Sequence, residues 1–510
     1  MRKWIPLIAV CLGTFMLLID VTIVNVAIPD MAKDLSTSFT SLQWVIDAYA
    51  LILAALVLGT GSIADIVGHR QAYVAGLALF AVASLVCGIA PNPGVLIGAR
   101  AVQGLGGAAM FATTFALLNS NYSGRDRGTA YGMWGAVVSA AAAVGPIVGG
   151  LLTEGISWRW IFFVNLPISV VAIAMCLLKL DDVHESRKVR VDWLGIVTFT
   201  AAAGGVTYAL IHGNEHGWTS GQTWAVGLIG ALLFVAFVVV ELRTPHAMLD
   251  LSLMRNRSFA GICVAAILLT FAAFASFTYT QIWLQSVLGL SPIEAGLIGL
   301  PLTIASFTVS AFFAGRFLIG RPPGPVIAGG LLLIALGDLV SVALVHGDAH
   351  WAALVPGFFV AGIGVGMAVP VLSSASMAAV PIERGGMAAG AVNTARQLGF
   401  AFGIALLGTV FSSRISTVLT DRSVPHAGSV AHQVSGGQAG RVLGSTPVSG
   451  RHTLDQAVHA SAVSGLQFVF LVAGIVGLIA ALLTFVLVRP AAEAQAASAP
   501  AHGAPEPATA

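Results

Sequence analysis

Residues 5–28 read IPLIAVCLGTFMLLIDVTIVNVAI, an apolar run interrupted by a single acid, Asp20. A helical run of about 20 apolar residues matches the ~30 Å hydrocarbon core of a bilayer. This run is long, carries an acid and is not followed by a small-residue cleavage site. It is therefore expected to remain in the protein as a membrane helix, unlike a secretory signal.

The same apolar pattern recurs along the whole chain. Of the 510 residues, 57% are hydrophobic and 9% are charged, whereas soluble domains are about 45–50% apolar and about 25% charged. Because only helices satisfy the backbone of so many apolar segments in lipid, the sequence predicts an all-α polytopic membrane protein with 14 transmembrane helices. The apolar blocks lie near residues 5–28, 42–64, 72–90, 95–119, 129–152, 160–178, 193–212, 223–241, 259–283, 295–315, 325–345, 351–372, 386–411 and 462–488.

The positive charges predict the orientation of these helices. Of the 24 Lys and Arg residues, 16 lie in segments on the side of the amino terminus and 6 on the other side. Short loops rich in Lys and Arg face the cytoplasm, so both termini are expected to be cytoplasmic. The net charge of +2 indicates no nucleic-acid partner.

Two charged linkers, 179–192 and 241–258, divide the blocks into groups of six, two and six. The stretch RGTAYGMWGAVV (127–138) is weakly echoed by RGGMAAGAVN (384–393), as expected for two pseudo-symmetric halves. Paired six-helix halves are typical of transporters that rock around a midplane site. The predicted organisation is a six-helix bundle over 1–178, a linker with two inserted helices over 179–257, a second six-helix bundle over 258–488 with a long outer loop at 412–461, and a disordered cytoplasmic tail at 489–510.

Three ionisable residues fall inside spans of the first half, at similar predicted depths: Asp20, Asp47 and Arg100. Such residues cost about 2.5–3.5 kcal/mol each on insertion and are usually functional. A buried arginine needs a carboxylate partner, and a second carboxylate beside it is left to bind and release a proton. Two roles fit: a structural ion cluster, or a proton-coupling centre with Asp20 as carrier and Arg100 as its modulator. The second role makes a proton gradient the energy source and needs no cofactor.

Four further polar residues are candidates for a substrate cavity: Asn25, Gln103, Asp338 and Arg396. Asn25 either lines the cavity or bonds a neighbouring helix. Asp338 either forms a second proton or cation site or extends toward the outer surface. Arg396 either binds a substrate or ties helices together.

The stretch AAAAVGPIVGGLL (140–152) contains a candidate hinge. Pro146, after Gly145, frees a backbone carbonyl and is expected to bend the helix. Gly149 and Gly150 allow a neighbouring helix to approach closely. The motif is either a hinge or proton-tight seal in a sliding interface, or a passive kink that serves packing.

Other classes of site and of protein are disfavoured. His212 and His216 have a metal-like spacing, but an intervening glycine and a position at a loop edge argue against an ordered metal site. The cysteines lie in four different spans, so neither a disulfide framework nor a zinc site is expected. No nucleophile-elbow, phosphate-loop or zinc-binding signature lies in a cytoplasmic context that could use it, so an enzyme is not expected. A receptor or scaffold would need a sizeable soluble domain or a structured tail.

The stretch GSIADIVGHR (61–70), between the second and third spans, resembles the loop signature of the major facilitator superfamily. Gly61, Asp65, Gly68 and Arg70 match that signature, whereas Ile66 replaces its usual arginine. In the family the loop acid interacts with a helix start in the opposite half and locks the cytoplasmic side closed. The resemblance therefore implies that these four matching residues form a cytoplasmic gate.

Further motifs narrow the resemblance to the fourteen-spanner drug:proton antiporters. It implies export of small amphipathic compounds, such as antibiotics, in exchange for protons across a bacterial cytoplasmic membrane. The same fold also serves proton-coupled importers of nutrients, so import stays as an alternative. The oligomeric state is not specified, and a monomer is compatible with the sequence. The motifs are LLIDVTIVNVAIP (17–29), QWVIDAYAL (43–51), ARAVQGLGGA (99–108), VGPIVGG (144–150), WRWIFFVNLPI (158–168) and SPIEAGLIGLP (291–301).

Overall fold

The computed structural model describes residues 2–180, 192–216, 220–244, 247, 249–318, 321–347, 349–380 and 385–488. The predicted tail at 489–510 and most of the linker at 179–192 lie outside these residues. The described residues form helices and contain no β-strand. The α-helices are α1 Ile5–Asp34, α2 Phe39–Val67, α3 His69–Gly88, α4 Pro93–Asn121, α5 Gly124–Gly155, α6 Trp160–Phe163, α7 Asn165–Lys179, α8 Trp193–His216, α9 Gly221–Arg243, α10 Arg257–Ile282, α11 Pro292–Ile298, α12 Leu300–Thr308, α13 Pro323–Leu344, α14 Val355–Ala378, α15 Gly385–Asp421, α16 Ala427–Ser435, α17 Ala439–Gly444 and α18 Val448–Leu487.

The starts of several helices follow from local capping. The side chain of Asn92 accepts a hydrogen bond from the Val95 amide, just before Pro93 opens α4. Ser291 and Glu294 form a reciprocal capping box at the start of α11. Such caps satisfy amide groups that the first helical turn leaves without partners. Two π-helical segments, Trp283–Val287 and Val309–Leu318, follow α10 and α12.

Twelve stretches of the described residues are long and apolar enough to cross a membrane, so the predicted count of fourteen is not reached. The predicted block at 42–64 contains a shorter apolar stretch, Ser41–Val57, within α2. The block at 129–152 lies in α5. Both blocks are nevertheless helical.

The stretch predicted as a long outer loop, 412–461, is mostly helical. Helix α15 continues to Asp421, α18 begins at Val448, and the short helices α16 and α17 lie between them. The extensions of α15 and α18 are held together by polar contacts, including Arg414 Nε to Ser464 Oγ at 3.1 Å. The apolar pattern marks only the lipid-facing and core-facing parts of a helix, so it does not report such extensions.

The helices pack in two large groups. In the first group, α1 packs on α5, and α4 packs on α2 and α3; in the second, α10 packs on α15, and α13 packs on α14 and α18. Helices α8 and α9 pack on each other, and α8 also contacts α2 and α15. We refer to the side where α1 begins at Ile5 as the terminal face and the side where α1 ends at Asp34 as the opposite face.

The apolar cores differ between the two faces. Near the opposite face one core contains residues of both groups, for example Ile28 of α1 and Phe411 of α15. The residues from the terminal side form two separate cores, one around Tyr73 in the first group and one around Phe259 in the second. The two groups therefore share one core toward the opposite face, whereas toward the terminal face they have separate cores, which are in contact where Met387 and Leu398 of α15 pack on the core of the first group.

Hydrogen bonds also join the two groups on the side of the opposite face. Gln285 Nε2 donates to the carbonyl oxygen of Val26 at 3.0 Å. Gln438, between α16 and α17, donates to the carbonyl oxygen of Thr37 at 3.0 Å. Gly437 beside it has φ +77° and packs on Pro29, a backbone conformation that favours glycine.

Candidate functional site

A cavity lies between the two groups of helices. Its walls come from α1, α4, α5, α10, α12, α14 and α15 and from the π-helical segment after α12. They are mainly apolar, with a few polar side chains, as in binding sites for small molecules. The aromatic lining consists of Phe111, Phe274, Phe277 and Phe400.

Asp20 and Arg100 form a salt bridge in the first group of helices, and their side chains are 0% and 1% exposed. Gln103, one turn after Arg100 on α4, accepts from Arg100 Nη1 at 2.6 Å and donates to Asp20 Oδ1 at 3.0 Å. The i, i+3 spacing places both α4 side chains on one face of the helix. The predicted partnership of Asp20 with Arg100 is thus observed, whereas its chemical role is a separate question.

Two more residues complete this network, which we call the Asp20 cluster: Asp20, Arg100, Gln103, Ser84 and Asn165. Asn165 Nδ2 lies 3.3 Å from both Asp20 Oδ1 and Ser84 Oγ, and Gln103 Nε2 donates to Ser84 Oγ at 2.8 Å. Sequence reasoning missed both residues. Asn165 lies within the quoted motif WRWIFFVNLPI, where a polar residue in an apolar run was a usable signal, whereas Ser84 offered none.

Arg100 also contacts the second helix. Its Nε donates to the carbonyl oxygen of Val45 at 2.9 Å, and its guanidinium lies 4.3 Å from the centre of the Tyr49 ring. A buried charge is tolerated when it is paired and hydrogen-bonded, and Arg100 meets both conditions. The Asp20 cluster therefore links α1, α2, α3, α4 and α7 through one guanidinium and one carboxylate.

Asp47 does not join the Asp20 cluster. Its side chain is 0% exposed, and neither carboxylate oxygen has a hydrogen-bond partner among the residues that the structure describes. The sequence placed Asp47 beside Arg100 because their depths agree, but depth says nothing about which way a side chain points around the helix axis.

Two of the four predicted cavity residues line the cavity, namely Asn25 and Arg396. Asn25 has both roles proposed for it, because its Oδ1 also accepts from Thr278 Oγ1 of α10 at 2.8 Å. The expectation for the other two is corrected. Gln103 is not among the lining residues because it is committed to the Asp20 cluster. Asp338 is 5% exposed and lies within α13, which packs between α14 and α18, so it reaches neither the cavity nor the outer surface.

The loop predicted as a cytoplasmic gate is a tight turn between α2 and α3. Gly68 occupies it with φ +98°, a region that glycine enters without steric cost. Arg70 Nη1 donates to the carbonyl oxygen of Leu180, at the end of α7, at 2.9 Å. Gly61 lies in the last third of α2, and its nearest neighbour is Ala112. The side chain of Asp65 lies outside the described residues.

The glycines of the predicted hinge make close contacts from one continuous helix, α5. A Cβ atom added to Gly145 would lie 1.9 Å from Thr22 Oγ1, and one added to Gly149 would lie 3.0 Å from the carbonyl oxygen of Ile23. A Cβ added to Gly150 would lie 2.6 Å from Ile293 Cα, in the second group. The side chain of Pro146 lies outside the described residues.

Potential metal ligands are dispersed in the part of the chain that the structure describes, where no group of three or more could hold a metal ion. His212 Nδ1 lies 2.9 Å from Thr223 Oγ1, a contact between α8 and α9. Cys11, Cys87, Cys176 and Cys263 are all buried and carry free thiols.

Two helical groups around a central cavity, with an ion cluster buried beside it, define the class of multi-pass membrane transporters with paired halves. The chain belongs to the Major Facilitator Superfamily, because the sequence model of that family matches residues 10–404. The resemblance seen in the sequence motifs is thereby confirmed.

Relatives in the family have names that refer to resistance. The chain is 35% identical to the Multidrug resistance protein Stp of Mycobacterium tuberculosis, over 82% of this chain and 79% of that protein. It is 32% identical to the Tetracenomycin C resistance and export protein of Streptomyces glaucescens, over 94% of this chain and 90% of that one. The solved structure of a bacterial homologue of the human lysosomal transporter Spinster shares the fold, with a TM-score of 0.62 at 15% identity, covering 97% of this chain and 98% of that one.

Proposed function

We propose that the protein is a proton-coupled efflux antiporter that exports small amphipathic compounds by alternating access, with Asp20 as the proton-coupling acid. One observation carries this proposal: Asp20, which is buried and paired with Arg100, sits on α1, a helix that lines the cavity. Leu18, Val21 and Thr22 of α1 line the cavity, within three residues of Asp20. Any movement of α1 that follows a change at Asp20 therefore reaches the cavity wall directly.

The relatives support the direction of transport. Two relatives that match most of this chain are named for drug or antibiotic resistance, and one of them also for export. Resistance by a transporter requires that the compound leave the cell. We therefore assign efflux to this chain and treat proton-coupled import of a nutrient as the outcome that a test must exclude.

Proton binding at Asp20 would act by changing its hydrogen bonds. An ionised carboxylate only accepts hydrogen bonds, whereas a protonated one also donates. Protonation would therefore weaken the salt bridge to Arg100 and remove an acceptor that Gln103 and Asn165 now share. The Asp20 cluster joins five helices, so a change at this one group would alter how those helices pack on each other.

The wider organisation is part of the same proposal. Helices α2 and α5 are long enough to join the twelve apolar stretches as membrane spans, since they contain 29 and 32 residues. The fourteen spans form two six-helix halves with α8 and α9 inserted between them. Both termini face the cytoplasm of a bacterial cell, so the terminal face is the cytoplasmic one.

In this arrangement the structure represents a state closed on the outer side. The core shared by both groups and the contacts of Gly150, Gln285 and Gln438 lie toward the opposite face. The compound would enter the cavity from the terminal face. In the other state, that face would be closed by Gly61, Asp65, Gly68 and Arg70. The glycines and proline at 145–150 would form the interface along which the helices slide.

The test uses inverted membrane vesicles with an acidic interior, in which a pH dye reports proton movement. A panel of aromatic amines, neutral aromatic compounds and aromatic carboxylates is added to the wild type, Asp20→Asn and Asp30→Asn. Asp30 lies on the same helix but its side chain is 35% exposed near Lys33, so its substitution is a matched control. We expect at least one compound to collapse the gradient with the wild type and with Asp30→Asn, and none to do so with Asp20→Asn.

Two results would contradict the proposal. Proton exchange that survives in Asp20→Asn would remove Asp20 from the coupling step. If no compound moves protons outward but nutrients drive proton movement in the opposite sense, the protein is an importer. Vesicle content of each variant, measured by immunoblot, separates loss of transport from loss of protein.

A further inference from the structure

We propose that the exported compound is an aromatic anion, such as a carboxylate or an ionised phenol, and that Arg396 binds its charge. This inference rests on the proposed efflux function and names the substrate class of the same cavity. Arg396 lies on α15 and lines the cavity together with Asn393, Gln397 and Phe400. The spacing of three and four residues places these side chains on one face of the helix.

The charge of Arg396 has no counter-ion among the residues that the structure describes. Its side chain forms no salt bridge or hydrogen bond to another described residue, and its Nε is buried without a partner. In addition, no aspartate or glutamate is among the described residues that line the cavity. A buried charge is stable only when it is paired or solvated, so this guanidinium is left to pair with something that enters the cavity.

The other role considered for Arg396 is a contact that holds two helices together, and its backbone makes that contact. The carbonyl oxygen of Arg396 accepts a hydrogen bond from Thr270 Oγ1 of α10 at 2.7 Å. The contrast with Arg100 is informative, because that residue is enclosed by a carboxylate, an amide and a carbonyl. One intramembrane arginine is thus fully satisfied within the protein, and the other presents its guanidinium to the cavity.

The rest of the cavity defines the remainder of the substrate. Phe274, Phe277 and Phe400 offer ring faces and edges to a flat aromatic body. The amides of Asn25, Asn393 and Gln397 provide neutral donors and acceptors for hydroxyl or keto groups. A guanidinium recognises a carboxylate through two parallel hydrogen bonds, whereas an ammonium group in this cavity would meet a like charge and no acid.

The experiment measures equilibrium binding to the purified full chain in lipid nanodiscs by calorimetry, with empty nanodiscs subtracted and no pH gradient. The probes share one ring system: 2-naphthoate, its methyl ester and 2-(aminomethyl)naphthalene. We expect the wild type to bind 2-naphthoate at least about tenfold tighter than either analogue, as a hydrogen bond to a charged group allows. Arg396→Gln should bring the three affinities within about threefold of one another. Arg396→Lys should retain part of the preference, because lysine keeps the charge but lacks the two parallel N–H donors of a guanidinium.

Two further variants guard against misfolding as an explanation. Arg414→Gln makes the same chemical change on the same helix, at a side chain that bonds Ser464 away from the cavity, and should leave the preference unchanged. Asn393→Asp introduces an acid one turn from Arg396, which should pair with it and abolish the preference for 2-naphthoate. Equal, reversed or absent binding of 2-naphthoate by the wild type would overturn the proposal, and so would a preference that persists in Arg396→Gln.

The result is separable from that of the vesicle test. Binding is measured without a proton gradient, so it does not depend on proton exchange. Loss of anion preference with intact proton exchange refutes the substrate class alone. Anion preference without proton exchange in the vesicles refutes the coupling alone.

Discussion

At the scale of single residues, two arginines within the membrane helices have opposite surroundings. Arg100 is paired with Asp20 and stacked on Tyr49, whereas Arg396 borders an aromatic cavity without an acid. Removing one member of a buried pair leaves an uncompensated charge, which is costlier than removing both. The pair therefore predicts a non-additive effect on stability.

Asp20→Asn and Arg100→Gln should each destabilise the protein by about 3–5 kcal/mol, and the double variant should cost clearly less than the sum. The measurement is reversible unfolding in mixed detergent micelles, with Asp30→Asn as a surface control that changes stability by about 0.5 kcal/mol or less. Additive costs would show that the two charges do not depend on each other for their stability.

Much of the Asp20 cluster was predictable from charge and depth, but its geometry was not. Asp20 and Arg100 stood out because ionisable residues are rare in membrane helices. Asp47 stood out equally and points elsewhere, because rotation about a helix axis is set by packing against neighbours and leaves no trace in depth along the chain. Ser84 could not be singled out from the sequence, because serine is common in membrane helices, where its hydroxyl bonds the backbone of its own helix.

At the scale of elements, α5 presents a row of glycines to two different neighbours. Gly145 and Gly149 face α1 of the same group, whereas Gly150 faces the backbone at Pro292 and Ile293 of the second group. The sequence motif did not distinguish these roles, since all three glycines look alike without their neighbours. A methyl group at Gly150 must displace backbone atoms rather than a flexible side chain.

Gly150→Ala should therefore disfavour the state that is closed at the opposite face. Overpacking of this kind costs about 1–3 kcal/mol, equivalent to a shift of roughly 5- to 150-fold in the ratio of the two states. The measurement is the distance between spin labels placed across the opposite face. Gly155→Ala, on the same helix with open space around its Cβ position, is the control, and an unchanged distance distribution in Gly150→Ala would contradict the expectation.

The segment between α15 and α18 also connects the two groups, through Gln438 and the carbonyl of Thr37. A short bis-methanethiosulfonate reagent that links Thr37→Cys to Gln438→Cys should stop transport, and a reducing agent should restore it. The control pair is Arg422→Cys with Gln456→Cys, because Arg422 and Gln456 are in contact within the second group. Normal transport by the linked protein would show that this segment stays in place through the cycle.

The helical nature of this segment was not foreseen from the sequence. Residues 412–461 are polar and rich in glycine and serine, which resembles a loop when hydropathy alone is considered. The extensions of α15 and α18 pack side by side, so tertiary contact overrides the weak local preference. Membrane helices can thus be located by apolar runs, whereas their continuations in water require knowledge of the neighbouring helix.

At the scale of the whole molecule, the proposed substrate class fixes how transport responds to voltage. Export of a monoanion in exchange for one proton moves two charges in the same electrical sense, each worth about 2.3 kcal/mol per 100 mV. Exchange of a monocation for one proton moves no net charge. An inside-negative potential, imposed with potassium and valinomycin at equal pH, should therefore accelerate export of 2-naphthoate in cells or right-side-out vesicles. Export of 2-naphthoate that is indifferent to the potential would contradict the exchange of a monoanion for a proton.

Two charged centres lie in different halves: the residues of the Asp20 cluster come from α1, α3, α4 and α7, and Arg396 lies on α15. Under the proposed function, proton and cargo are held by separate bodies that communicate through the contact surface between them. A substitution on that surface, at Thr278 for example, which bonds Asn25 across it, should leave both affinities nearly intact while letting one partner cross without the other. The contact surface therefore determines how strictly the movement of the proton is coupled to that of the cargo, whereas the two sites determine the affinities. A loss of coupling would appear as a proton leak.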